Sequence, residues 1–140
     1  MDARELRMNF EMLGDWEDRY RYIIDLGRKL PSMDAADKTA ETKIPGCQSN
    51  VWVRARVGDE DPPLLHLSAD SDSQIVKGLV AIIIALCDGR TPGEVAELDI
   101  QGFFEEMELS RHLSMNRSIG LREMIQTIQA TARRHRQNAD

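Results

Sequence analysis

Val51-Trp52-Val53-Arg54-Ala55-Arg56-Val57 alternates with a period of two, and that period decides the fold class. Val51, Val53, Ala55 and Val57 share one face of a pleated strand; Trp52, Arg54 and Arg56 share the other. Gly58-Asp59-Glu60-Asp61-Pro62-Pro63 then reads as a turn and Leu64–Ala69 as the return strand. Upstream the period is helical. Trp16, Tyr20, Ile23, Ile24, Gly27 and Leu30 recur at steps of three and four, opposite Glu17, Asp18, Arg21, Asp25 and Arg28, which predicts an amphipathic helix over residues 15–30, closed by Pro31. A short helix over Arg4–Leu13 precedes it, broken at Gly14, and the polar Ser32–Thr42 follows, with one helical turn around Asp34–Asp37. Downstream, Asp70-Ser71-Asp72-Ser73 offers N-cap side chains to a core helix that runs through Ile75, Leu79, Ile82, Ile83 and Leu86 to Gly89 at C′. Thr91-Pro92-Gly93-Glu94 is a capping box with Pro at N1; another short helix is expected within Gln101–Leu109, and a last one from about Ser118 to Arg136. Helices, a hairpin and helices again give an α+β fold, a small antiparallel sheet packed against helices.

Composition bounds the function. The chain has 140 residues, 41% apolar and 30% charged, with nine glycines and five prolines, an ordinary globular mixture of single-domain size. No repeat, low-complexity stretch or linker divides it, so residues 1–140 read as one domain. A net charge of −6 gives no general attraction to nucleic acid or anionic lipid. The longest apolar run, Leu79–Cys87, is far short of the ~20 residues a membrane span needs. Met1-Asp2-Ala3-Arg4-Glu5 carries no apolar signal region. The two cysteines, Cys47 and Cys87, lie far apart without a CxxC spacing, so neither a disulfide framework nor a zinc knuckle is expected and a reducing, cytoplasmic setting fits.

The chemistry points to Cys47. It sits in Ile44-Pro45-Gly46-Cys47-Gln48-Ser49-Asn50, an exposed loop by composition, whereas free cysteines usually lie in the core; a thiol on such a loop is more often reactive than space-filling, and Gly46 lets a partner's backbone approach it. Cys87 ends the apolar helix and reads as inert core. A working thiolate gains from a nearby cation, for which Lys43, Arg54 and Arg117 are the candidates; Arg117 is read as lying before the last helix. The three histidines, His66 in a strand, His112 in a polar turn and His135 in the basic tail, show no catalytic context. Metal-ligand spacing, a P-loop and GxGxxG are absent, and Arg133-Arg134-His135-Arg136 suits a helix C-terminus better than a nucleic-acid patch. Trp52 is read as a support for the Cys47 loop, covered by a flanking helix.

Gly46-Cys47-Gln48-Ser49-Asn50-Val51-Trp52 resembles the signature of the SufE family of sulfur-transfer proteins, the CsdE branch included. Trp16-Glu17-Asp18-Arg19-Tyr20 with Tyr22–Gly27 is similar to that family's early helix, Asp70-Ser71-Asp72 with Ile75–Leu79 to its central helix, and His112-Leu113-Ser114 with Arg117–Leu121 to its late motif. The likeness runs in order over residues 9–130 and departs at Asn50 and in the acidic Asp59–Pro63 turn. It implies a fold like that of the iron–sulfur scaffold proteins (SufE/IscU-like). It also implies a role as sulfur acceptor for a pyridoxal-phosphate cysteine desulfurase of the SufS or CsdA type. Cys47 would receive the persulfide sulfur, stimulate the desulfurase and pass sulfur on to an iron–sulfur scaffold complex. Gly46, Gln48, Asp72 and Arg117 would support the acceptor loop or its docking. No cofactor and no metal would belong to this chain, because the pyridoxal phosphate stays with the partner. The alternative is a non-catalytic adaptor that binds and activates a desulfurase. A scaffold that builds clusters itself is disfavoured, since clusters need about three or four ligands and the chain offers one accessible thiol. The oligomeric state is left open, a homodimer included.

Overall fold

The structure, a computed structural model, describes residues 2–139, with side chains to residue 136. Its order is α1 (Ala3–Met12), α2 (Trp16–Lys29), a 3₁₀ turn (Ala35–Asp37), β1 (Val51–Val57), β2 (Leu65–Ser71), α3 (Gln74–Cys87), α4 (Pro92–Glu97), α5 (Ile100–Glu106), a second 3₁₀ turn (Ser110–His112) and α6 (Met115–Ala139). Among the described residues the two strands form one antiparallel hairpin, with Val51 opposite Ser71 and Val57 opposite Leu65. The α+β reading holds. The core helix α3 buries Ile75, Val76, Leu79, Val80, Ile82, Ile83, Leu86 and Cys87 between the hairpin, α2 and α6.

The crossing of α2 and α3 is closed by two glycines. A Cβ at Gly27 would lie 2.7 Å from the Gly78 backbone nitrogen, and one at Gly78 would lie 2.2 Å from the Ile23 carbonyl oxygen. Removing both side chains lets the helices approach at backbone distance, where ordinary side chains would hold them ~8–10 Å apart. Local signals set most helix ends: Asp2, Asp15, Ser73, Thr91 and Asp99 each accept a backbone N–H at an N-cap, and Thr91 with Glu94 completes the expected capping box.

Three expectations are corrected. The return strand extends to Ser71, so of the four polar residues read as caps only Ser73 caps α3. The reason is that Asp70 is 4% exposed and pairs with Trp52 across the hairpin; its carboxylate accepts from the N–H groups of Ser71 (2.8 Å) and Met33 (3.1 Å) and pairs with Lys38 (3.2 Å) and Lys77 (3.3 Å). The short helix expected within Gln101–Leu109 begins at Ile100, because the Asp99 carboxylate reaches the Gly102 N–H at 3.0 Å. The last helix begins at Met115, so Arg117 lies within its first turn, where the Ser114 hydroxyl accepts the Arg117 N–H at 3.3 Å.

Candidate functional site

The Cys47 loop is fastened at both ends and unsupported by regular structure between them. On its entry side Ile44, 1% exposed, gives its N–H to the Val51 carbonyl at 2.8 Å, and the Thr42 carbonyl accepts from Val53 at 2.8 Å. These bonds fold residues 42–44 back along β1. On its exit side Asn50 donates its backbone N–H to Asp72 at 3.1 Å and its amide to the other carboxylate oxygen at 2.9 Å, while its carbonyl accepts from the Ser71 hydroxyl at 2.7 Å. The predicted residue Asp72 therefore ties the loop to the start of α3. Between the fastenings Pro45, Gly46 and Gln48 are exposed, and Gly46 takes φ of 79°, the left-handed region that a side chain disfavours.

Cys47 itself is half-buried, a correction to the open surface thiol read from the loop's composition. The reason is α6: the Cys47 thiol donates to the Gly120 carbonyl at 3.5 Å, and the sulfur rests against the helix there, 3.6 Å from where a Cβ of residue 120 would stand, an ordinary contact distance. Beside the sulfur opens a cavity of about 200 Å³, floored by Val76 and Leu79 of α3 and by Leu121 and Met124 of α6, with Gln48 and Arg117 at its polar side. Burial pushes the Cys47 thiol up from its ordinary range, and the Glu123 carboxylate adds to the rise. In this resting position the sulfur is a thiol poorly disposed to ionise. Cys87, 1% exposed, is pushed up to about 12 by burial, which outweighs the opposing Arg90 charge, and is inert core as expected.

Of the three candidate cations, the fold brings one to the sulfur's cavity. Arg117 lines it, and its buried Nη1 has no hydrogen-bond partner among the described residues. Arg54 pairs instead with Asp37 at 3.4 Å, and Lys43 is exposed beside Trp52 at the loop's entry. The Lys38 ammonium stands 5.2 Å from the Trp52 ring centre, and residues 42–44 pair with the β1 edge of the hairpin through their backbone. The histidines are elsewhere: His66 bonds Glu60, His112 stacks on Trp16 with ring centres 4.2 Å apart, and His135 lies on α6. Gly120 entered the sequence reading only as part of the Arg117–Leu121 motif, with no role at the sulfur, and Glu123 was missed. Once α6 is known to begin at Met115, their three-residue spacing with Arg117 shows one helix stripe facing the loop.

Residues 4–132 match the SufE family, described as an Fe-S metabolism associated domain. The chain belongs to the SufE family. An uncharacterized SufE-like protein of Rhizobium meliloti (strain 1021) is 44% identical over 125 residues, covering 89% of this chain and 89% of that one. The solution structure of a hypothetical protein from Thermus thermophilus superposes with a TM-score of 0.76 over 96% of this chain and 97% of that one; at 21% identity that likeness shows the fold alone. Membership ties the chain to iron–sulfur metabolism and supports a role in sulfur transfer. Among the described residues no helix is long and apolar enough to cross a membrane, and no three His, Cys, Asp or Glu residues are grouped to hold a metal ion.

Proposed function

We propose that this SufE-family chain is a sulfur acceptor and carrier, with Cys47 as the residue that takes sulfur from the persulfide of a pyridoxal-phosphate cysteine desulfurase of the SufS or CsdA type. The observation that carries the reading is the placement of Cys47: a free thiol on a loop tethered at both ends, seated at the mouth of a cavity beside Arg117, whose buried Nη1 has no hydrogen-bond partner among the described residues. In the exchange, the Cys47 thiolate attacks the outer sulfur of the partner's persulfide. A new sulfur–sulfur bond forms at Cys47, the partner's own sulfur–sulfur bond breaks, and the partner's cysteine leaves with the electron pair and takes up a proton. One sulfur atom moves, and no external oxidant or reductant is consumed.

The geometry divides two tasks. Attack needs a thiolate, and the resting seat disfavours one, so the loop acts on the partner only after Cys47 leaves Gly120 and the cavity. Gly46 supplies the backbone freedom for that movement, Gln48 rides with the sulfur, and Asp72 and Arg117 support the loop and its docking. The pyridoxal phosphate belongs to the desulfurase, sulfur passes onward to an iron–sulfur scaffold complex, and two free thiols suit a reducing, cytoplasmic setting.

The test is intact-mass analysis after incubation with a cysteine desulfurase and free cysteine. The expected result is a gain of one sulfur atom, mapped to Cys47 and reversed by a reducing thiol, with no gain in Cys47→Ser. If the Cys47→Ser chain still raises desulfurase turnover as well as the unaltered chain does, the adaptor reading replaces this one.

A further inference from the structure

Glu123 stands one helical turn beyond Gly120 on the stripe of α6 that carries the Cys47 loop. The hinge rests on it: a Cβ at Gly46 would come within 3.0 Å of the Glu123 Cγ and 3.7 Å of its Oε1. Gly120 meanwhile holds the thiol through its carbonyl. Hinge and sulfur are thus seated side by side on Glu123 and Gly120. Glu123 has no hydrogen bond or ion pair among the described residues, so no basic partner neutralises it. Among the described residues that line the cavity beside the sulfur the charged one is Arg117, from the same helix; α3 faces that cavity with Val76 and Leu79, and the loop with Gln48 and Ser49.

We propose that Glu123 is a positioning residue that makes the resting seat of Cys47 selective for a neutral sulfur: the seat holds the thiol, and ionisation or conversion to an anionic persulfide sets the sulfur against the carboxylate and drives the Gly46 hinge outward. The proposal rests on the reading of Cys47 as the acceptor. Its physical basis is repulsion between like charges in a partly desolvated site, where water screens them less than at an open surface. The direction of the Cys47 thiol's displacement, upward through burial and then Glu123, agrees, and Arg117 does not reverse it. A persulfide is a stronger acid than a thiol and is largely anionic near neutral pH. The empty carrier is therefore held closed while the loaded carrier is pushed open, so a single carboxylate gives the loop a direction tied to its cargo.

The experiment follows alkylation of Cys47 in the full chain by peptide mass analysis from pH 6 to 10, in the unaltered chain, Glu123→Gln and Glu123→Asp. Glu123→Gln keeps the shape that meets Gly46 and removes the charge. The expected result is a profile displaced to lower pH in Glu123→Gln, with an alkylation rate at pH 7 about three- to tenfold higher, and a profile near the original in Glu123→Asp. Raising the salt to 1 M should speed the unaltered chain at pH 7 and leave Glu123→Gln nearly unchanged, a comparison that does not depend on the variant's packing. Coincident profiles in folded proteins, or a salt response equal in both, overturn the proposal. Sulfur gain from a desulfurase is measured separately: a chain that gains sulfur at Cys47 with coincident profiles loses only the role of Glu123, and a chain that gains none loses the acceptor reading itself.

Discussion

Cys47 and Cys87 have the same side chain in opposite surroundings, and the difference is measurable one residue at a time. Burial raises both thiols, Cys87 to about 12, yet Cys47 is partly exposed on a loop outside the helices and strands while Cys87 is sealed in the core. Iodoacetamide is expected to label Cys47 in the native protein with a rate that climbs as pH rises toward and past 9, since the thiolate is the reacting form and the seat holds its ionisation above the usual range. Cys87 is expected to react only when the chain is denatured. Peptide-resolved mass spectrometry gives both rates in one sample, and comparable labelling of the two under native conditions would contradict this division. The contrast in surroundings was legible in the sequence because an apolar helix and a Pro-Gly loop are opposite local contexts. The half-burial of Cys47 was not, since it depends on Gly120, 73 residues further on.

At the scale of elements, the α2–α3 crossing and the Asp70 cluster show what pattern reading finds and what it misses. Period identified both helices and both strands, because each buries one face. It could not tell that Gly27 and Gly78 meet, because a glycine in a helix leaves no periodic trace of the partner it admits. Alanine at position 78 would gain about 1 kcal/mol of helix propensity, but its Cβ would lie 2.2 Å from the backbone oxygen of Ile23, which cannot swing aside as a side chain can. Overpacking of this kind costs roughly 1–3 kcal/mol or more, so Gly78→Ala is expected to lower the melting temperature despite its better propensity, and an unchanged or raised value would show that the helices separate at little cost. Asp70 misled in a different way, since Asp-Ser-Asp-Ser before an apolar run has the composition of a cap. What draws Asp70 into the strand is a set of partners from three places in the chain, Met33, Lys38 and Lys77, none of them visible in a local window. Asp70→Asn is expected to cost about 2–3 kcal/mol in urea unfolding, at the low end for breaking a buried pair because both lysines retain some access to water.

Over the whole molecule these links separate a stable body from a loosely held loop. The body has a charge that answers to pH: burial acts to raise the Asp70 carboxyl, but the Ser71 N–H, the Lys38 ammonium, the Met33 N–H and the Lys77 ammonium outweigh it and hold the group below its ordinary range. A depressed folded-state pKa contributes stability that is complete above the unfolded value, near 3.8, and is lost as pH falls through the folded one, so Asp70 supports the fold throughout the neutral range. The loop is held differently. Its exit tether is the exposed Asp72 carboxylate taking two hydrogen bonds from Asn50, and water competes for both. Hydrogen bonds of this type contribute about 0.5–1.5 kcal/mol each, less where exposed, so Asp72→Ala is expected to change global stability by no more than about 1 kcal/mol. Local opening should change more, because the free energy that closes the loop is small to begin with. Native-state hydrogen exchange in Asp72→Ala is therefore expected to accelerate at residues 46–50 and remain as slow as before in α3 and in β1 beyond Val53, where backbone pairing and the buried core are untouched. Acceleration spread evenly over α3 would mean that Asp72 stabilises the helix start more than the loop. Exchange unchanged at residues 46–50 would mean that the entry bonds at Ile44 and the Gly120 contact hold Cys47 closed without it.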